Sequence, residues 1–361
     1  MKILFIAPFP PPIHGQSLAT EIFFQEVNKT NEVEVINTNK RSHKEGFSNF
    51  GRIIEIFQIY IQIVKKNKRT DIIYFQISES LAGNLKDLII YILCFRRLSV
   101  MFIHLHGGSI KKLLFDLYPL LTRINKFFLS KLAGAIILGE SHIEIFSDFM
   151  AMNKIHIVPN FAENYLFITE EKISLKFQNT TPLIILYISN LIPGKGYMEL
   201  LYAFIYSDES IKANIQIDFA GGFETEVEKE FFLNKIEPYH QIKYHGIVNG
   251  IEKKELFNNA HIFCLPTSYL EGQPISILEA YASGCVVITT NKGGIQDVFE
   301  DQVNGFEIGE KSLEAIKRTI KYTSDNIIKL LPIAIKNRNI AQEKYRTITY
   351  VESLKKTIGA I

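Results

Sequence analysis

The sequence predicts an α/β protein of two domains, each a parallel sheet wrapped by helices. Short β-prone runs alternate with longer segments of helical period through most of the chain. The alternation ends at Val158-Pro159-Asn160-Phe161 and restarts after a polar stretch, 162–181, which reads as a linker. The length, 361 residues, is too great for one compact core and comfortable for two.

The first domain is placed at 1–161. Its strands are expected at Lys2–Ile6, Val33–Ile36, Asp71–Phe75, Val100–His104, Ala135–Leu138 and Ile155–Val158, alternating with helical segments such as Gln16–Val27, Ile53–Lys68, Leu85–Arg97 and Ile110–Lys131. Ligands approach such sheets at the C-terminal strand ends. After the first strand stands one glycine, Gly15, behind Pro10-Pro11-Pro12, where a dinucleotide-binding loop needs three spaced glycines. A nicotinamide or flavin enzyme is therefore disfavoured. Gly15 itself permits close backbone approach to a ligand, with His14 and Gln16 as weaker candidates. His104-Leu105-His106-Gly107-Gly108-Ser109 follows another strand, and an imidazole beside two glycines there is placed to hydrogen-bond a ligand. His104 is expected to face the core or the other side of the sheet.

The second domain is placed at 182–340. Leu183–Ile188 is a strand, Ser189 to Gly194 its loop, and Lys195 to Tyr206 a helix. A lysine at the positive end of a helix is misplaced unless an anion joins it, so Lys195 favours a phosphate. A Walker-type loop is excluded, since neither its leading glycine nor its following Ser/Thr is present. Strands follow at Ile215–Ala220 and Ile242–His245, then the turn Gly246-Ile247-Val248, then Phe263 and Cys264 closing a strand. Next comes Leu265 to Gly284, in which a polar loop runs into a helix near Pro274. Glu271 lies before that helix and Glu279 inside it, seven residues between them, flanking the unpaired amides of a helix start. Glu279 sits in an otherwise apolar run, Ile277 to Ala282, so it is expected to point toward a cleft or a partner rather than bulk water. Phosphate suits the helix start, and a carboxylate accepts from paired sugar hydroxyls. After the strand Val286–Thr289, Asn304-Gly305 reads as a plain turn, and Lys311 to Ile361 as helical.

Composition narrows the classes. Apolar residues make up 47% and charged residues 22%, as in a globular protein. Cys94, Cys264 and Cys285 are far apart in apolar runs and read as buried hydrophobes in a reducing compartment. The N-terminus reads as a strand rather than an export signal, and apolar runs such as Leu88 to Phe95 are too short to span a bilayer. The expected location is the cytoplasm, with peripheral attachment to the inner face of the membrane. A net charge of +2 gives no argument for nucleic acid. The basic residues cluster, however: residues 85–131 hold eight Lys/Arg against Asp87 and Asp116. Together with Phe115, Phe127 and Phe128 they predict a surface that rests on anionic headgroups.

The pattern Glu271-Gly272-Gln273-Pro274, Leu278-Glu279-Ala280 and Ala282-Ser283-Gly284-Cys285-Val286-Val287 resembles the E-x7-E signature of the retaining glycosyltransferases of family four, which have the GT-B fold. The resemblance implies two Rossmann-like domains facing a central cleft, with a final helix, 341–361, crossing back to the first. It implies that Glu271 approaches the donor sugar, Glu279 holds the ribose, His106 lies near the sugar, Gly15 faces the diphosphate, and Gly246-Ile247-Val248 receives the base. The family's usual Gly-Arg ahead of Lys-Gly is Ser189-Asn190 here, and asparagine cannot neutralise a phosphate.

His106, Glu271 and Lys195 are thus the expected catalytic residues, and Gly15, Asn190, Lys195, Ile247, Gly272, Gln273, Pro274, Ile275 and Glu279 the expected donor-binding ones. The expected activity is retaining transfer of a sugar from a nucleotide-diphosphate sugar, a UDP-sugar, to a glycan or lipid-linked hydroxyl in surface polysaccharide synthesis. No cofactor is expected, and no metal, since the chain has no Asp-x-Asp. Two alternatives are a GT-B epimerase or hydrolase of nucleotide sugars, and a non-catalytic subunit that binds them.

Overall fold

A computed structural model describes residues 1–39, 49–309 and 313–360. Lys311 and Ile361, which bound the stretch expected to be helical, lie outside the described residues. The chain forms two compact units, one of Met1–Asn160, Leu270–Gln273 and a segment starting at Ile348, the other of Phe161–Tyr269 and Pro274–Thr347.

In the first unit, β1 (Lys2–Ala7), α1 (Gly15–Val27), β2 (Glu32–Asn37), α2 (Asn49–Lys66), β3 (Ile72–Gln76), α3 (Leu81–Leu93), β4 (Met101–His104), α4 (Pro119–Leu129), β5 (Gly134–Ile137), α5 (Ile143–Phe146) and β6 (Ile155–Ile157) follow in order. The strands form one parallel sheet, β2-β1-β3-β4-β5-β6. Ile3 to Ala7 and Ile72 to Gln76 are buried without a break, as a parallel sheet covered on both faces requires. Order reverses between β1 and β3, which opens the switch-point crevice beyond their C-terminal ends. The stretch Ile110–Lys131, expected as one helix, is a π-helical turn at Lys111–Phe115 followed by α4. Pro119 divides them, since it lacks the N–H that would continue a helix but suits a first turn.

In the second unit, α6 (Glu170–Gln178), β7 (Leu183–Ile188), α7 (Tyr197–Ile205), α8 (Glu209–Lys212), β8 (Ile215–Ala220), α9 (Glu226–Ile236), β9 (Ile242–Tyr244), α10 (Gly250–Asn259), β10 (Ile262–Leu265), α11 (Ile275–Ala282), β11 (Val286–Thr289), β12 (Gly305–Glu307), α12 (Leu313–Asn326) and α13 (Leu331–Lys344) follow. Their parallel sheet runs β9-β8-β7-β10-β11-β12, the doubly wound order, with its switch point between β7 and β10. Gly305, read from sequence as a turn, begins the edge strand β12.

The stretch 162–181 is part of this second unit rather than a free linker. Thr169 caps α6, and Ala162, Leu166, Ile168, Ile173 and Phe177 are buried in the unit's core. Its composition misleads because the inward residues are few and spaced among Glu, Lys and Asn. The last helix, α14 (Thr347–Ile358), carries Tyr350, Val351, Leu354 and Ile358 into the first unit, while residues 341–347 stay with the second. Cys94 in the first unit and Cys264 and Cys285 in the second are all buried thiols.

Candidate active site

Within the first unit the switch point gathers a buried polar chain. Gln76 ends β3, and its amide nitrogen donates to His106 Nε2 at 3.0 Å and to the Tyr74 hydroxyl at 3.2 Å. An amide nitrogen only donates, so with the Gln76 amide in this orientation His106 accepts at Nε2 and carries its proton on Nδ1. The Tyr74 hydroxyl lies 2.6 Å from His104 Nδ1, and Tyr350 of α14 interacts with Tyr74 in turn. The rings of His104 and His106 are 4.0 Å apart. His104 is fully buried, as a core-facing residue is, but its ring lies beside His106 rather than on the other side of the sheet, because positions two apart along a strand share a face. Burial, with the nearby His14 adding to it, drives His106 down to about 3, and burial drives His104 well below the usual imidazole range. Both rings are neutral at physiological pH. Gly15 is the first residue of α1, whose start is capped by a box in which His14 Nδ1 accepts from the Ser17 amide and Ser17 Oγ from the His14 amide.

The loop after β4 receives a distant piece of chain, Leu270–Gln273. Ser109 Oγ donates to the Leu270 carbonyl at 3.2 Å. A Cβ on Gly272 would lie 1.9 Å from the His106 carbonyl, and one on Gly108 2.5 Å from that of Glu271. Glycine at both positions lets two backbones touch. Glu271 is thereby lodged, 9% exposed, against the loop that carries His106. Gln273 anchors the segment: its Oε1 accepts from the Asn160 amide at 2.6 Å, its Nε2 donates to Leu138 O, and its own carbonyl accepts from Asn160 Nδ2. Its side chain is therefore spent on the fold, which leaves its backbone amide as the group it can offer a donor. Glu79 braces the same loop, its Oε1 accepting from the amides of Ser109 at 2.5 Å and Ile110 at 3.0 Å.

Within the second unit the switch point lies between the loops after β7 and β10. The Tyr187 hydroxyl donates to the carbonyls of Lys195 at 3.2 Å and Asn190 at 3.5 Å, tying the loop across its base. The Ser268 amide donates to Gly194 O at 2.8 Å, which joins the two loops. Gly196 has φ +88°, and a Cβ there would strike Pro266 O at 2.3 Å. Helix α7 starts at Tyr197, so Lys195 stands just before it rather than within it, its ammonium 5.2 Å from the Tyr269 ring centre. The Asn190 side chain is exposed, as is Ile247 beside Gly246, whose φ is +72°. Pro274 is the N-cap of α11, and no side chain caps that end. Ile275 opens the helix.

Glu279 is 2% exposed, in the middle of α11, and ion-paired through Oε1 to Lys253. Lys253 also meets Glu163 Oε2 at 2.9 Å, and the Tyr165 hydroxyl donates to that same oxygen at 2.8 Å. Burial opposes charge on Lys253, yet the two carboxylates hold its pKa above the ordinary lysine value. Burial raises the Glu279 carboxyl, and Lys253 pulls it back. Sequence reasoning missed Gln76, Glu79, Glu163 and Lys253. Gln76 had a signal, a polar residue closing the apolar run Ile72 to Phe75; Lys253, inside Glu252-Lys253-Lys254-Glu255, looks like a solvated charge.

Two parallel six-stranded sheets, each with helices and polar loops at its switch point, define the GT-B class of α/β proteins. The chain belongs to the family of glycosyl transferases group 1, whose model matches residues 169–354. An uncharacterized glycosyltransferase of Methanocaldococcus jannaschii is 29% identical over 133 residues, covering 37% of this chain and 33% of that protein. The glycogen synthase of Xanthomonas euvesicatoria is 27% identical over 147 residues, covering 40% and 27%. The matches thus span about a third or less of these relatives' length. Among solved structures, Anabaena HepE in complex with UDP-glucose has the same fold, with a TM-score of 0.75, 16% identity and full coverage of both chains.

Proposed function

We propose that this chain is a retaining glycosyltransferase that moves a sugar from a UDP-sugar to a hydroxyl of a lipid-linked or growing glycan in surface polysaccharide synthesis. The observation that carries the proposal is the docking of Leu270–Gln273 on the loop after β4, which brings Glu271 to His106 from 165 positions away. HepE, of the same fold, was solved with UDP-glucose, which supports the donor class. Glu271 and the Nδ1–H of neutral His106 orient the sugar hydroxyls. Lys195 and the amides opening α11 offset the charge that grows on the leaving diphosphate, without a metal. Gly15 and Asn190 offer uncharged contacts to the diphosphate, Gly272 and Ile275 backbone amides, Ile247 a face for the base, and Glu279 an acceptor for the ribose. The acceptor oxygen attacks the anomeric carbon from the face the diphosphate leaves, the C–O bond to phosphate breaks, and the acceptor proton passes to the departing oxygen.

Peripheral membrane attachment at the cytoplasmic face is part of the same proposal. Helices α2, α3 and α4 are neighbours, joined by Tyr60 Oη to Lys86 O and by the paired amides of Asn84 and Asn125. They and the turn after α3 expose Phe57, Leu85, Ile92, Phe95, Leu120 and Phe127 among lysines and arginines, whereas Phe115 and Phe128, expected on this surface, are buried in the core of the first unit. Among the described residues no helix is long and apolar enough to cross a membrane.

The test is Glu271→Ala, assayed for transfer and for UDP binding. Transfer should fall by about a hundredfold or more while UDP affinity changes little, the mark of an interaction made at the reacting sugar. Transfer at the wild-type rate would refute the assignment.

A further inference from the structure

The cluster around Lys253 does more than fill space. Lys253 lies in the first turn of α10, the helix that follows Gly246-Ile247-Val248, and a cation at that end opposes the helix dipole. It is nevertheless 11% exposed and wedged between Glu279 Oε1 and Glu163 Oε2. Every neighbour of Glu279 along α11 is apolar and buried, from Ile277 to Ala282. In such surroundings an isolated carboxyl keeps its proton near neutrality. A protonated carboxyl accepts one strong hydrogen bond fewer than a carboxylate, and a vicinal diol has two to give. The titratable groups facing Glu279 are Lys253 from α10 and Glu163 and Tyr165 from the segment before α6. Glu163 works against ionisation of Glu279, which leaves Lys253 as the group that enforces it.

We propose that Lys253 is the positioning residue of the nucleoside subsite, fixing Glu279 through Oε1 and leaving Oε2 to take the vicinal hydroxyls of a ribose. This rests on the reading that Glu279 binds the nucleotide. One ammonium between two carboxylates leaves the cluster one negative charge in excess, which suits a partner that only donates hydrogen bonds there. Glu163, anchored by Tyr165, keeps the ammonium from swinging away when the nucleotide arrives.

The test is UDP affinity by calorimetry on the full chain, for wild type, Lys253→Met and Lys253→Arg, between about pH 8 and about pH 6. The difference between each variant and wild type cancels the titration of UDP itself. Lys253→Met should weaken UDP by about tenfold at the upper pH and further as the pH falls, because Glu279 then takes up a proton; Lys253→Arg should stay within about threefold at both. A folded Lys253→Met chain that binds UDP like wild type at both pH values overturns the inference. Should the single variant fail to fold, Lys253→Met with Glu163→Gln removes cation and excess anion together and is read the same way. Wild type that binds neither UDP nor another nucleoside diphosphate would sink the nucleotide reading itself and the inference with it. Unchanged Lys253→Met beside a binding wild type sinks the inference alone.

Discussion

Acid should destabilise the first unit through His106. The folded ring titrates at about 3, because burial strips its charged form of water, whereas in the unfolded chain it returns to about 6.5. The sign follows: below about pH 6.5 the unfolded chain binds a proton that the folded one refuses, so the stability present above that pH is lost as pH falls toward 3. Each pH unit in this window costs about 1.4 kcal/mol, or about 2 kcal/mol by about pH 5. His106→Gln cannot titrate. Its stability gap to wild type should therefore shrink by about 2 kcal/mol between about pH 8 and about pH 5, read by urea unfolding, or by about 4–8 °C in melting point. His104 is held low chiefly by burial and only secondarily by His106, so the substitution leaves the larger part of its effect common to both curves. Parallel curves would mean that the ring titrates as if solvated, and the argument for a neutral, proton-donating His106 would fail.

Gly272→Ala should lower the melting point by the equivalent of about 1–3 kcal/mol, since the new methyl meets the His106 carbonyl and both groups are backbone-bound; an unchanged melting point would show that the two loops do not touch. Glu79→Ala should cost about 1–3 kcal/mol by stripping the Ser109 and Ile110 amides of their acceptor, with Glu79→Gln recovering part of it; a neutral Glu79→Ala would remove Glu79 from the loop's support. The face of α2, α3 and α4 should bind anionic vesicles at low salt and release them at high salt, and failure to co-sediment with them at low salt would end the membrane proposal.

The two sheets were legible because buried parallel strands are nearly continuous apolar runs, and Leu183–Ile188, Ile215–Ala220 and Val286–Thr289 carry that pattern undiluted. Where boundaries moved, a local rule decided: Pro119 divided one expected helix, and a few inward residues drew 162–181 into a core. Of the site, the residues beside glycines stood out, His106, Lys195 and Glu271, since glycine marks places where backbones or ligands come close. Gln273 looked like its neighbours and proved to be an anchor for Asn160. Nothing along the chain links Lys253 to Glu279 or Glu79 to Ser109, because a charge gains its meaning from a partner far away in sequence.

The three buried thiols are divided one to two between the units, and burial pushes Cys94 up to about 11 while raising Cys264 and Cys285 as well. None is poised to react while its surroundings stay closed. Labelling with a maleimide therefore becomes a clock for opening: the rate at Cys94 times the first unit, the rates at Cys264 and Cys285 the second, and a nucleotide that slows only the latter pair reveals which half it steadies.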